Sequence, residues 1–122
     1  MTNIGGLKVF GNDGVELAYP MVSVFPKNGE IVFNLAAHLL LNSDYVLLIF
    51  SDDSGVAGVT PCKCGVNTFR VYSPLDRDYN ENGAFGMDYD GGFIYAPNFI
   101  CDLKLAGDYQ LRMLHGAFLF NV

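Results

Sequence analysis

Two histidines, three cysteines and thirteen acidic residues make up the chain's stock of bases, thiols and carboxylates. Nucleophilic catalysis requires a Ser, Thr or Cys within hydrogen-bonding reach of a base. His38 lies among Ala36, Ala37, Leu39 and Leu40, a setting that suits a satisfied core or interface histidine. His115 precedes Gly116 near an expected bend, and neither histidine sits in a nucleophile motif. Asp52 and Asp53 adjoin Ser54-Gly55, where carboxylates most simply cap a turn. Glycoside hydrolysis would need two carboxyls facing each other across a cleft. No catalytic residue is assigned, and the chain is expected not to be an enzyme.

Residue types that bind metals occur in two places. Asp78, Asn80, Asn82 and Gly83 reproduce the first half of a calcium loop, in which alternate oxygen donors converge on a hard cation and Gly makes the sharp turn. The second half departs from that pattern: counted from Asp78, the position of the bidentate Glu is Tyr89, flanked by Asp88 and Asp90. Asp76 and Asp88 could supply the missing oxygens in another geometry. The simpler reading is a solvated loop rich in turn formers, with no cofactor, and calcium held by Asp78, Asn80, Asn82 and Asp88 is the alternative. Cys62 and Cys64 with Cys101 and either His38 or His115 offer the donor types of a zinc site. Structural zinc pairs are usually spaced more widely than Cys62-Lys63-Cys64, so buried, reduced thiols acting as small apolar side chains are expected. A bridge from Cys101 to Cys62 or Cys64 stays open.

Phe85, Tyr89, Phe93 and Tyr95 are interleaved with Gly86, Gly91 and Gly92. Rigid aromatic area beside permissive backbone suits a binding surface for a sugar or a protein, and core packing beneath a loop is the competing account.

These residues must be positioned by β structure. Hydrophobic residues are 51% of the chain and charged residues only 16%, a balance that excludes a disordered chain and leaves apolar surface for a partner to cover. The formal net charge of −6 repels phosphate backbones, so nucleic acid is not an expected ligand. The longest apolar run, residues 45–50, is far short of a membrane span of about 20 residues. Residues 1–10 lack a basic stretch followed by a long apolar segment, so no secretion signal is expected and the protein reads as soluble.

Short apolar runs punctuated by Gly, Asn, Asp and Pro give about eight short strands in one domain covering residues 1–122. The spacing predicts hairpins around Gly11-Asn12-Asp13-Gly14 and around Pro26-Lys27-Asn28-Gly29, the latter joining residues 21–25 to residues 30–35. Asn34 is placed to cap a short helix ending at Asn42, with an irregular strand or loop as the alternative for residues 35–41. Residues 45–51 read as a strand covered on both faces and closed by residues 52–55. Residues 66–72 alternate, with Val66, Thr68, Arg70 and Tyr72 on one face and Phe69 and Val71 inside. The runs 99–105 and 109–122 bracket a turn at residues 106–108; Tyr109, Leu111 and Met113 share one face, and Gly116 marks a bulge or bend. Phe118-Leu119-Phe120 must be paired and covered. The expected fold is all-β, an antiparallel sandwich or open barrel.

Gly6-Leu7-Lys8-Val9-Phe10, followed after a short turn by Gly14 and a second strand, resembles the start of small β-rich accessory proteins encoded beside tail-tip and tail-fibre genes of tailed bacteriophages. Phe69-Arg70-Val71-Tyr72 and Gly91-Gly92-Phe93 are broadly similar to them too, although the likeness is concentrated in about the first twenty residues. The resemblance implies a virion component assembled in the host cytoplasm, docking at the tail tip or fibre base in several copies. Its expected partners are other virion proteins or copies of itself. A carbohydrate- or host-receptor-binding module is the alternative.

Overall fold

The computed structural model describes residues 19–73 and 91–122. The expected hairpin around residues 11–14 and the oxygen-rich loop of residues 76–90 lie outside the described residues. The rest forms two antiparallel sheets and two short helices in a β-sandwich-like arrangement, as the sequence pattern predicts.

The four-stranded sheet is built from β1 (Met21–Phe25), β2 (Glu30–Phe33), β6 (Phe93–Tyr95) and β7 (Gly107–Gln110), in the order β6-β2-β1-β7. The five-stranded sheet contains β3 (Tyr45–Ser51), β4 (Val56–Cys62), β5 (Phe69–Arg70), β8 (Arg112–Leu114) and β9 (Ala117–Asn121), in the order β5-β3-β4-β9-β8. Register decides which side chains face inward. Val22 and Val24 stand opposite Phe33 and Ile31 in one sheet. In the other, Ala57 and Val59 stand opposite Phe120 and Phe118. All eight are buried and meet in one core. A fully buried Phe such as Phe120 contributes about 2–3 kcal/mol by leaving water.

The sheets meet at both margins. Residues 107–114 form one extended segment whose first half pairs with β1 and whose second half pairs with β9. Leu111 is the pivot between them, buried in the core with its N–H donated to the Pro20 carbonyl. At the opposite margin β5 pairs with β3, and two residues later Tyr72 forms a bridge with Phe93 of β6.

Turn chemistry explains the hairpins. Asn28 N–H bonds the Phe25 carbonyl at 3.0 Å, closing the Pro26-Lys27 turn as expected. Between β8 and β9 the expected bulge or bend is a two-residue turn in which His115 (φ 51°) and Gly116 (φ 82°) are both left-handed, the mirror-image turn whose twist suits a hairpin.

Helix α1 (Leu35–Leu41) follows β2 and carries Ala37 and Leu41 into the core. Asn34 caps it as predicted, and does more. Its Oδ1 accepts from Ala37 N–H at 3.0 Å and from Met21 N–H at 3.1 Å, while Nδ2 donates to the Tyr19 carbonyl at 2.8 Å. One amide therefore closes the first turn of α1 and holds the entry to β1. Asn42 ends the helix in the left-handed region (φ 43°), its N–H bonding the His38 carbonyl.

Four expectations are corrected. Residues 99–105 contribute to α2 (Pro97–Leu103) and not to a strand. Pro97 sits at the first helical position, where its missing N–H costs nothing, and Phe99, Ile100 and Leu103 share the face that packs on the core. Lys104 (φ 54°) and the Leu105 N–H to Ile100 carbonyl bond then reverse the chain. Second, β3 is not covered on both faces throughout: Val46 is fully buried and Leu48 packs on the core, whereas Ile49 and Phe50, on opposite faces, are 40% and 39% exposed. Third, residues 66–72 are extended over a shorter stretch. Asn67 (φ 65°) and the Thr68 hydroxyl bonded to Gly65 make a turn that leaves Val66 87% exposed. Phe69 and Val71 do pack on the core as expected. Fourth, the thiols are not buried: Cys62 is half-buried, Cys64 and Cys101 are exposed, and all are free.

Removing the Asn34 amide leaves the Ala37 and Met21 N–H groups without their acceptor. Asn34→Ala is expected to lower unfolding free energy by about 2–3 kcal/mol in urea titrations, and Asn34→Asp, which keeps the acceptor, by less.

Candidate functional site

Two surfaces of the described residues present side chains suited to recognition. The first is an aromatic seam at the margin where β5 approaches β6. Arg70 and Tyr72 alternate onto the same face, and the Arg70 guanidinium lies over the Tyr72 ring, 5.1 Å from its centroid. Tyr72 stacks on Phe93 with centroids 5.5 Å apart, and Tyr95 meets the Tyr72 and Phe93 rings edge-on at 5.6 and 5.4 Å. Such pairs contribute about 0.5–1.5 kcal/mol each beyond their buried area. Phe93 is buried and forms the floor, while Tyr95 is 48% exposed and Tyr72 half-buried. Of the four expected rings, Phe93 and Tyr95 are described: both lie on the face of β6 turned away from the main core, Phe93 buried and Tyr95 reaching solvent. Phe85 and Tyr89 lie outside the described residues.

The seam continues across the β5–β3 pair. Tyr45 stands opposite Arg70, with the exposed Cys64 beside it. The neighbouring Cys64 side chain, chiefly as a hydrogen-bonding group, raises the Tyr45 pKa above its ordinary value, with Arg70 opposing the change.

His38 lies behind the seam. A Cβ on Gly92 would stand 2.8 Å from His38 Nδ1 and 2.9 Å from the Tyr72 carbonyl, so only glycine lets the chain pass there. Gly91 is tighter still, because its Cβ would collide with the Phe33 carbonyl oxygen. Nδ1 of His38 is buried without a hydrogen-bond partner, which corrects the expectation of a satisfied histidine. Burial holds its pKa below 6.5.

The second surface is the outer face of the five-stranded sheet. Ile49, Gly58 and Leu119 lie side by side across three strands, next to Arg112. Leu114 is 52% exposed. Ile49, Val56, Leu114 and Leu119 line an apolar groove of about 350 Å³, together with Ser51, Ser54 and Arg112. A polar recess of about 440 Å³ lies around the crossing segment, between Tyr19, Asp108, Arg112 and Asn121. Asp108 there accepts from the Ser23 hydroxyl at 2.6 Å, and Arg112 donates to Asn121 at 3.1 Å.

Other candidate residues are dispersed. No group of three or more His, Cys, Asp or Glu side chains able to hold a metal occurs among the described residues, so the zinc donor set is not brought together. Cys101 is on α2 and His115 in the β8–β9 turn, apart from Cys62 at the end of β4. Asp78, Asn80, Asn82 and Asp88 lie outside the described residues. Asp52 and Asp53 are exposed in a turn closed by the Gly55 N–H to Ser51 carbonyl bond. Sequence reasoning placed Arg70 and Tyr72 on one face without joining them to Phe93 and Tyr95. It missed the outer apolar face, although alternate reading of Leu47, Ile49 and Leu119 contained that signal.

The described residues define the class as β-sandwich-like, with two short helices among them. Among the described residues no helix is long and apolar enough to cross a membrane. No family model, curated protein or solved structure matches the chain.

The lowered His38 pKa sets a sign. The unfolded state binds the proton more readily, so stability is complete above the unfolded value of 6.5 and falls as pH drops through 6.5 toward the lower folded value. Urea midpoints measured from pH 8 to 5 are expected to decline more steeply for the native chain than for His38→Leu.

Proposed function

We propose that this protein is a non-enzymatic assembly subunit of a tailed-bacteriophage particle, docking at the tail tip or the base of a fibre in several copies. The observation that carries this reading is the apolar outer face of the five-stranded sheet. An antiparallel sheet with one face in water ordinarily alternates apolar with polar residues. Here Ile49 and Leu114 are exposed at 40% and 52% on the side where polar residues belong. Exposed apolar patches mark association surfaces, and 16% charged residues offer little to keep such a face dispersed. The likeness of residues 6–10 and 14 to tail-region accessory proteins names the assembly. Assembly in the host cytoplasm is part of the same proposal, as are partners that are virion proteins or further copies.

The aromatic seam favours a second reading, a carbohydrate- or host-receptor-binding module. Exposed Tyr95 beside Tyr72 and Arg70 presents a ring face and a charged donor together, the combination that stacks on a sugar and hydrogen-bonds its hydroxyls.

Mass spectrometry of intact particles, with cross-linking of the subunit in place, separates the readings. The protein is expected to sediment with particles at fixed stoichiometry, and Tyr95→Ala to leave that incorporation unchanged. Glycan binding by the isolated chain, lost on Tyr95→Ala, would instead establish the second reading. Turnover of an ester or glycoside that disappears in His115→Ala would overturn both.

A further inference from the structure

We propose that the outer face of the five-stranded sheet is a two-fold interface with a second copy of this chain. This rests on the docking reading above and names the partner. Arg112, on β8, lines the apolar groove, and at the β3–β4 end the groove is lined by Ser51 and Ser54, the residues that flank the exposed Asp52 and Asp53. A rim of one sign would call for a partner of the other sign; this rim carries both. When two copies of the sheet pack face to face about an axis parallel to the strands, β8 of one lies over β3 of the other. Arg112 of each copy then meets the β3–β4 turn of its partner, and both contacts form at once, as an isologous interface requires.

Two details support this pairing. The Arg112 side chain already extends along the sheet toward Asn121, whose row continues through Val56 to Ser51 at the start of the acidic turn. Overall charge of −6 opposes the approach of two copies, so a contact between them must sit where basic and acidic groups face each other. The groove combines that feature with exposed Ile49 and Leu114, which supply the apolar centre.

Sedimentation velocity of the full chain from about 1 to 200 µM tests the proposal, with circular dichroism to verify folding of every variant. The native chain is expected to dimerise reversibly. Ile49→Lys and Arg112→Glu should each weaken the dimer about tenfold or more, a change of about 1.4 kcal/mol or above. The triple variant Arg112→Glu, Asp52→Lys, Asp53→Lys should recover affinity over Arg112→Glu alone, because both rim contacts are reversed together. A monomer throughout that range, a dimer indifferent to Ile49→Lys and Arg112→Glu, or a triple variant no tighter than Arg112→Glu would overturn the proposal. Particle incorporation is read in parallel. A monomer that joins particles and loses that ability on Ile49→Lys removes the second copy but leaves the particle reading standing. A dimer that behaves as expected yet is absent from particles supports the interface and removes the particle reading.

Discussion

The backbone hydrogen bonds of residues 107–114 have to be satisfied by two different sheets, and the rest of the architecture depends on that constraint. One extended segment pairs with β1 and then with β9, turning at Leu111, so the sheets cannot slide without breaking ladder bonds on both sides of the pivot. Leu111 holds the crossing doubly: its side chain is in the core and its N–H bonds the Pro20 carbonyl. A buried backbone donor left without a partner costs about 1–3 kcal/mol, so the position of Pro20 and the pivot are coupled. Asn34 extends this coupling by joining Tyr19 and Met21, on the other side of Pro20, to the start of α1.

The opposite margin is joined by side chains as well as backbone. Tyr72 exchanges hydrogen bonds with Phe93 at 2.8 and 2.9 Å, and their rings stack. The seam therefore has a structural part, Phe93 with the bonded Tyr72 backbone, and a surface part, Tyr95 and the Arg70 guanidinium. The same contacts explain why glycine occupies positions 91 and 92: the chain entering β6 passes the end of β2 and the His38 ring too closely for a Cβ. His38 Nδ1 lies beside that approach, buried and without a hydrogen-bond partner.

Faces of the two sheets differ in a way that bears on association. Ser23, Glu30, Val32 and Phe93 are buried although they alternate with residues of the main core, so the four-stranded sheet is covered on both sides. In the five-stranded sheet Val46, Ala57, Val59, Phe118 and Phe120 are buried on the inner face, while Ile49 and Leu114 are open to solvent on the outer one. Its outer face is the one with apolar area to spare, and it carries opposite charges at its rim.

Much of the strand and turn plan was legible in the sequence, because those signals are local. Pro26 and Gly29 specify the first described hairpin, Asn34 and Asn42 bound α1, and Phe118 and Phe120 alternate into the core as their spacing requires. Local pattern could not decide residues 99–105: Phe99, Ile100 and Leu103 fit a helix face, yet so short a helix persists only when Ile100 and Leu105 find a core to enter. The extent of residues 66–72 likewise depended on partners, since strand pairing there required β3 on one side and β6 on the other. Of the candidate site, the sequence by itself supplied Tyr95 and the shared face of Arg70 and Tyr72, whereas only the tertiary structure joined them through Phe93 and uncovered Ile49. Spacing along a chain determines which face a side chain occupies, but whether that face meets core, partner or water is set by residues distant in sequence.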